Sequence, residues 1–547
     1  MKTRTTKLFC LVLAMLMLVG AFSGCTASKT PTAPKSDAQG AAEPATNNTD
    51  SDTLTIALPA DVGPINAHNY ASKMYIQDFV YDTLTKWEDN EVKPGLAESW
   101  DISEDGKEYT FHLRHGVEFT DGSDWNADIA KKNVDAVLLH REDHSWLEML
   151  NKIQSAEVVD EYTLKMTLSD AYYPFLQELS LIRPLAFMAE ASFPASGDTY
   201  TDGIAEPIGT GKLKLAEYKA GEYAVFERND DYWGEKVKFK YIRVEVIPDA
   251  NTQVAALKTG EIDMIFDVAG VLTADSFEEL KGAGFKTVIS EPTCTLALAL
   301  NSNRNATADL EVRQALEYAV DKDTIVENVY YNLRTKADTL FDKSLPYCDL
   351  DLTTYEYNPE KAIELLESDG WVLENGARYR TKNGATLTLE YYYVSTDNIC
   401  RTLGEALQSM FEAVGVELKI IGEESSSFST RQTDGSFDIV VSETWGNQYD
   451  PHSMVASYRE PSHADYRAQE GMPNKAELDQ WVSELLVETD DQTRQDYYNK
   501  ILSALADQAI YIPVCSTTVL VACENDLDGI TFNTDNFIPI QTIYRVA

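Results

Sequence analysis

Residues 403–421, "LGEALQSMFEAVGVELKII", change period halfway along. The first part reads as a helix stopped by Gly415, and the second as a strand with Val416, Leu418 and Ile420 on one face. A helix that runs directly into a strand predicts α/β layers and excludes an all-helical bundle or an all-strand sandwich. Other segments agree. "DTLTIALP" (52–59) and "YTFHLRHGVEF" (109–119) alternate like strands, and "TDG" supplies a turn after the second. "YNPEKAIELLESDGW" has a cap at Asn358, Pro359 at the first helical position and Gly370 as its stop. "DLEVRQALEYAVDKDTIVENVYY" opens on a candidate cap, Asp309, and sets Val312, Ala315, Leu316, Ala319 and Val320 at helical spacing. There is no fixed repeat. From about Asp52 to Ala547 the chain is too long for one core of ordinary size, so at least two lobes are expected.

The N-terminus says where those lobes work. "MKTRTTKLFCLVLAMLMLVGAFSGC" has a basic start, an apolar run from Leu8 to Phe22 and small residues before Cys25. The run is too short to span a bilayer comfortably, so residues 1–24 read as an export signal. "FSGC" is similar to a bacterial lipoprotein cleavage box, which makes Cys25 the lipidated new N-terminus; ordinary cleavage with Cys25 incidental is the competing reading. Residues 26–51 contain no large apolar side chain and cannot offset the entropy of ordering, so 25–51 is expected to be a flexible tether. The expected location is outside the cell membrane, anchored to it by lipid and facing the periplasm or the exterior.

The formal net charge is −43, and becomes −46 without the three basic residues of the signal. Phosphate backbones would be repelled, so nucleic acid is excluded as a partner. Beyond Cys10 and Cys25 there are five cysteines, an odd number with no CxxC, and they read mainly as small buried apolar residues. "IGTGKLKL" (208–215) fails as a phosphate loop, because Glu206 stands where a glycine is needed and Leu213 where Ser or Thr is needed. Neither G-x-S-x-G nor H-E-x-x-H occurs, and no nucleophile–base–orienter set is visible, so an enzyme is not expected and no catalytic cofactor is implied. His140 and His144 stand four apart in "VLLHREDHSWLEML". Among Arg141, Glu142 and Asp143 they read as an exposed polar face in preference to a metal site.

Several blocks resemble the extracellular solute-binding proteins of the peptide/nickel class, family 5, the receptors that feed ABC importers. They are "LAESWDISEDGKEYTFHLRHGVEFTDGSDWNADIAKKN" (96–133), "PIGTGKLKLAEYKAGEYAVFERNDDYWG" (207–234), "ALKTGEIDMIFD" (256–267) and "VRQALEYAVDKDTIV" (312–326). Within that class the chain is similar to the nickel receptors, through "DVGPINAHNY", "HSWLEMLNKI", "SDAYYPFLQELSLIRPLAF", "IGEESSSFSTRQTDGSF" and "TWGNQYDPHSMVASYREPSHADY". The resemblance implies a two-lobe periplasmic-binding-protein fold (class II, large cluster C type) with an extra subdomain in the N-terminal lobe. Its expected divisions are lobe 1 at 52–296 with the insert at about 90–205, lobe 2 at 297–520, and a return to lobe 1 at 521–547. It also implies a monomer that docks on the importer's permease subunits.

For the last of these strings, residues 444–466, the resemblance implies a use for its two histidines, its tryptophan and its three tyrosines. The expected ligand is Ni(II), or a similar transition metal, carried by a small organic chelator. Arg183 would grip a chelator carboxylate, His463 would be the protein's metal ligand, and Met74, Trp146, Trp445 and Tyr449 would be the walls, with Tyr70 nearby. The chemistry suits the roles. Arginine offers a planar fork for a carboxylate, and a neutral imidazole suits nickel. Each residue also has a plain structural reading. Arg183 would sit in a buried salt bridge, His463 would bond Asp465, the tryptophans would be core and Met74 a gap filler. His452 reads as structural. Two departures stand out: Ser429 replaces an aromatic, and no second basic residue follows "RP". Both would enlarge the pocket, with room for a bulkier chelator or metallophore or for a metal other than nickel; the competing reading within the fold is a receptor for short peptides or opine- and metallophore-like amino acid derivatives.

Overall fold

The computed structural model describes residues 52–88, 90–267, 272–292, 294–446, 449–533 and 537–546. The export signal, the tether and Cys25 lie outside the described residues. The helix–strand alternation is realised in two large sheets. The first has seven strands in the order Lys286–Ile289, Leu520–Cys523, Met264–Asp267, Thr53–Leu58, Tyr241–Val246, Tyr223–Arg228, Leu213–Lys219. Thr53–Leu58 lies parallel to both of its neighbours and is buried along almost its whole length. A central strand of this kind is covered on both faces, so the alternation in its sequence does not become alternating exposure. Leu54, Ile56 and Leu58 face a core with Phe79 and Phe226, while Ala57 faces a smaller one with Leu257 and Leu280.

The second large sheet runs Thr335–Lys336, Tyr511–Ser516, Thr295–Leu300, Ile439–Glu443, Thr388–Val394, Glu417–Glu423. Helix Asn398–Ala413 carries the chain between the parallel strands Thr388–Val394 and Glu417–Glu423, the crossover legible in residues 403–421. Gly415 follows the helix at φ 84°, a left-handed conformation that glycine adopts without strain. Asn358 caps helix Pro359–Ser368 through Lys361 N. The 309–331 segment differs from its sequence reading. It holds two helices, Leu310–Ala319 and Lys322–Asn328, broken at Val320. Asp309 spends its carboxylate on Lys382 at 3.3 Å and gives the first helix no side-chain cap, whereas Asp321 caps the second through Thr324 N.

A four-stranded antiparallel sheet, Ala97–Ile102, Glu108–Leu113, Thr163–Leu168, Ile153–Asp160, is inserted in the first lobe. One apolar core joins it to the second lobe, running from Phe111, Leu164 and Phe175 through to Met454, Tyr498 and Tyr511. The chain crosses between the large sheets twice, near 290–294 and 516–519. The crossings lie side by side, tied by Thr517 N to Cys294 O at 2.7 Å and Ser290 N to Val519 O at 3.0 Å. The two lobes are thus joined by a narrow double crossing and meet again through the insert. Cys348, Cys400, Cys515 and Cys523 are free thiols.

Candidate ligand-binding site

The residues singled out in the sequence come from both lobes. From the first, Tyr70 lies in the turns before helix Met74–Val80, Trp146 precedes helix Glu148–Lys152, and Arg183 follows the turn Phe175–Glu178. From the second, Trp445 and Tyr449 lie beyond strand Ile439–Glu443, and His463 stands at the N-cap of helix Ala464–Gln469. Met74, the first residue of its helix, completes the set. All seven are half-buried.

Contacts run through them from end to end. The Arg183 guanidinium lies 5.3 Å from the Tyr70 ring centre. Tyr70 and Trp146 are 6.0 Å apart, Trp146 and Trp445 6.0 Å with rings edge-on, and Trp445 and His463 5.9 Å. Tyr449 stands 6.3 Å from Trp146 and 6.1 Å from Trp445, and its hydroxyl meets Met74 Sδ at 3.6 Å. Arginine and histidine thus stand at the two ends of an aromatic wall that spans the lobes.

The structural readings of these two residues find little support. Arg183 is in no ion pair among the described residues; Nη1 donates to the Ser72 carbonyl at 3.0 Å. Burial holds its guanidinium below the ordinary range, with the Tyr449 and Tyr70 hydroxyls acting the other way. A half-buried cation with most of its donors unspent favours an incoming anion. Asp465, the expected partner of His463, instead takes Tyr511 Oη at 2.8 Å and Ser442 Oγ at 3.2 Å. The His463 imidazole has no hydrogen bond among the described residues.

Local structure holds the wall in place. Asp450 accepts from Trp445 N at 3.1 Å and Gly446 N at 2.8 Å, closing the turn that presents Trp445. Burial pushes its carboxyl up to about 7, with hydrogen bonds opposing. Gly446 has φ 97°, so the turn requires glycine. Trp146 Nε1 donates to Tyr70 Oη at 2.7 Å, and the Tyr70 hydroxyl then donates to His144 Nδ1, also at 2.7 Å. Burial lowers His144 to about 4, which keeps it a neutral acceptor.

That contact corrects the reading of His140 and His144 as an exposed polar face. Helix Ala127–Leu138 ends before either, and the 3₁₀ turn Arg141–His144 swings His144 inward, where it is fully buried. His140 is held between Asp198 at 2.8 Å and Asp143 at 3.1 Å. His144 and Asp450 are site residues that sequence reasoning missed. The position of His144 two residues before Trp146 was the available signal, and the four-residue spacing to His140 hid it. Ser429 lies exposed on helix Ser425–Asp434, none of whose residues is buried.

Among the described residues no three His, Cys, Asp or Glu side chains converge as a metal cage, so a metal at His463 needs donors from a ligand. A cavity of about 890 Å³ lined by Trp87, Tyr109, Tyr173, Tyr347, His452 and Asp491 contains none of the seven residues.

The family model for the middle region of bacterial extracellular solute-binding proteins, family 5, matches residues 91–466. The chain is 41% identical to the nickel-binding periplasmic protein of Escherichia coli over 88% of its own length and 92% of that protein's. Its structure is similar to that of NikA from Brucella suis in complex with Fe(III)-EDTA, with TM-score 0.88 and 43% identity over 90% of this chain and 100% of that one. It is also similar to NikZ from Campylobacter jejuni in complex with Ni(L-His), with TM-score 0.76 and 27% identity over the same shares.

Proposed function

The chain belongs to the bacterial extracellular solute-binding proteins of family 5, transport receptors and not enzymes, and on that premise we propose what it carries. The cargo is nickel, or a similar transition metal, bound by a small organic chelator and delivered to an ABC importer. The observation that carries this reading is the pairing of two underused groups across one aromatic wall: the Arg183 guanidinium, with one hydrogen bond, and the His463 imidazole, with none among the described residues.

The guanidinium takes a chelator carboxylate in a forked, charge-assisted pair. The imidazole adds one donor to a metal whose other positions the chelator fills. Trp146, Trp445, Tyr449 and Met74 exclude water, which strengthens the charge pairing and suits a planar complex. Each lobe supplies half the wall, so a bound complex draws the lobes together, and the closed shape is what a permease can read. The metal-binding relatives support the cargo. The same proposal keeps Cys25 as the lipid attachment site and the receptor as a monomer.

Calorimetry with nickel alone, nickel with L-histidine or citrate, and a metal-free peptide mixture tests it. Binding is expected only when metal and chelator are present together; binding of peptides without metal would favour the peptide reading. His463→Ala should weaken the complex at least tenfold, about 1.4 kcal/mol, while the unfolding midpoint stays put. Undiminished affinity would remove His463 from the metal. Arg183→Ala should weaken any carboxylate ligand by roughly a hundredfold.

A further inference from the structure

The cavity of about 890 Å³ that excludes the seven wall residues lies between the two lobes. Trp87, Tyr109 and Tyr173 line it from the first lobe, and Tyr347, His452 and Asp491 from the second. Its volume and its largely aromatic lining are those of a small-molecule site. Two of these side chains hold polar groups that the protein leaves unused. Tyr109 is 5% exposed, and its ring is enclosed by Phe175 at 4.6 Å and Phe111 at 6.3 Å. The hydroxyl is then the end of the side chain that reaches the cavity, and it has no hydrogen bond among the described residues. Burial pushes it up to about 12, so it stays protonated. A hydroxyl buried to this extent is costly to leave without a partner.

The second is Asp491, the first residue of helix Asp491–Asp507. It accepts from Tyr347 Oη at 2.8 Å and is in no ion pair among the described residues. Tyr347 Oη also lies 3.2 Å from Tyr173 Oη, so the carboxylate stands at the edge of two aromatic rings. Charge in the lining has one sign. Asp491 and Glu91 are its ionised groups, and no lysine or arginine lines the cavity. Glu91 is matched by Lys93 on its own strand. His452 is neutral, because burial disfavours its charged form. Arg494 lies 3.6 Å from the Tyr173 ring centre, but it is fully buried, outside the lining and bonded to the Leu485 and Glu488 carbonyls.

We infer that this cavity is a second binding site, for an arylalkylammonium cation, with the ammonium on Asp491, the aromatic body among Trp87, Tyr173 and Tyr347, and the Tyr109 hydroxyl as a further polar contact. An anion would meet an unmatched carboxylate there. A neutral aromatic would fill the walls and leave Asp491 as it is. A cation gains both the carboxylate and the electron-rich ring faces, each worth more where water is partly excluded. The inference does not rest on the metal, since none of the seven wall residues lines the cavity.

The test uses the metal-free protein and four matched probes. Tryptamine carries ring and charge, tryptophol the ring alone, indole-3-propionate the ring with the opposite charge, and ethylamine the charge alone. Calorimetry should show saturable binding of tryptamine on the order of 0.1–1 mM, with each other probe at least about fivefold weaker. Asp491→Asn keeps an acceptor for Tyr347 and removes the charge. It should weaken tryptamine by about fivefold or more and leave tryptophol within about twofold of wild type. Tyr109→Phe should weaken tryptamine by about threefold without lowering the urea unfolding midpoint, because its hydroxyl has no partner to lose. Tryptamine that binds no better than the other probes, or as well to both variants as to wild type, overturns the inference.

Discussion

Two clusters where the lobes meet are built from the same residue types. The proposed ligand wall has His463, Arg183, Tyr70 and Tyr449; the cluster beneath the insert has His452, Arg494, Tyr173, Tyr347 and Tyr498. They differ in how much of their chemistry is spent. Arg494 is fully buried, donates to the Leu485 and Glu488 carbonyls, both at 2.9 Å, and lies 3.6 Å from the Tyr173 ring centre. His452 Nδ1 accepts from Tyr498 Oη at 2.6 Å and Arg494 Nη2 at 3.2 Å, and burial drives its pKa down to about 3. Next to it, buried Glu178 takes Tyr172 Oη at 2.7 Å, Met149 N at 3.1 Å and, across the lobes, Ser453 Oγ at 2.8 Å. In the wall, Arg183 has one hydrogen bond and His463 none among the described residues. Residue type does not separate the two clusters; unspent hydrogen-bonding capacity on half-buried side chains does.

The largest effect should come from breaking the spent cluster. Arg494→Met takes the guanidinium from the Glu488 and Leu485 carbonyls, of which Leu485 keeps Glu488 N at 3.3 Å, and removes the bond to His452 and the stack on Tyr173. It should cost about 3–5 kcal/mol of stability by urea unfolding. Arg183→Ala should cost under about 1 kcal/mol in the same assay, because its lost partner is mostly ligand and water. Equal losses would erase the distinction between the clusters.

A smaller effect separates them by pH. Burial raises Glu178 from 4.5 to about 7, with its hydrogen bonds pulling the other way. Between those values the folded state keeps a proton that the unfolded chain has shed. The stabilisation is therefore complete below about 4.5 and declines as pH rises through 7, by roughly 3 kcal/mol. His452 acts in the opposite sense: its folded value lies below 6.5, so its contribution is lost as pH falls from 6.5 toward about 3. Urea midpoints across pH 5–8 should fall more steeply for wild type than for Glu178→Gln. Parallel curves would mean that Glu178 does not titrate in that window.

Much of this was legible in the sequence. The period change at Gly415 gave the parallel crossover, and the cap at Asn358 with Pro359 gave its helix, because both depend on neighbours in the chain. The resemblance pointed to the wall residues by position in strings. The missing cap at Asp309 was not legible, since its carboxylate is drawn to Lys382 on a distant strand. Nor was the burial of His144, which depends on a 3₁₀ turn and on Tyr70 arriving from 74 residues away.

The smallest predicted effect falls on the residue that belongs to both kinds of cluster. Tyr70 faces Arg183 with its ring, as a wall residue, and spends its hydroxyl on Trp146 and buried His144, as a structural one. Tyr70→Phe keeps the ring and orphans the Trp146 donor and His144 Nδ1, whose Nε2 already lacks a partner among the described residues. The loss should divide. Stability should fall by about 1 kcal/mol, for two hydrogen bonds of which one is only part-buried, and affinity for a nickel complex by a few-fold as Trp146 loses its anchor. Urea unfolding and calorimetry on one preparation read both. A loss confined to stability would make Tyr70 part of the scaffold alone, while a loss confined to affinity would mean that the His144 bond is dispensable to the fold and that the wall extends one residue further than its ring contacts imply.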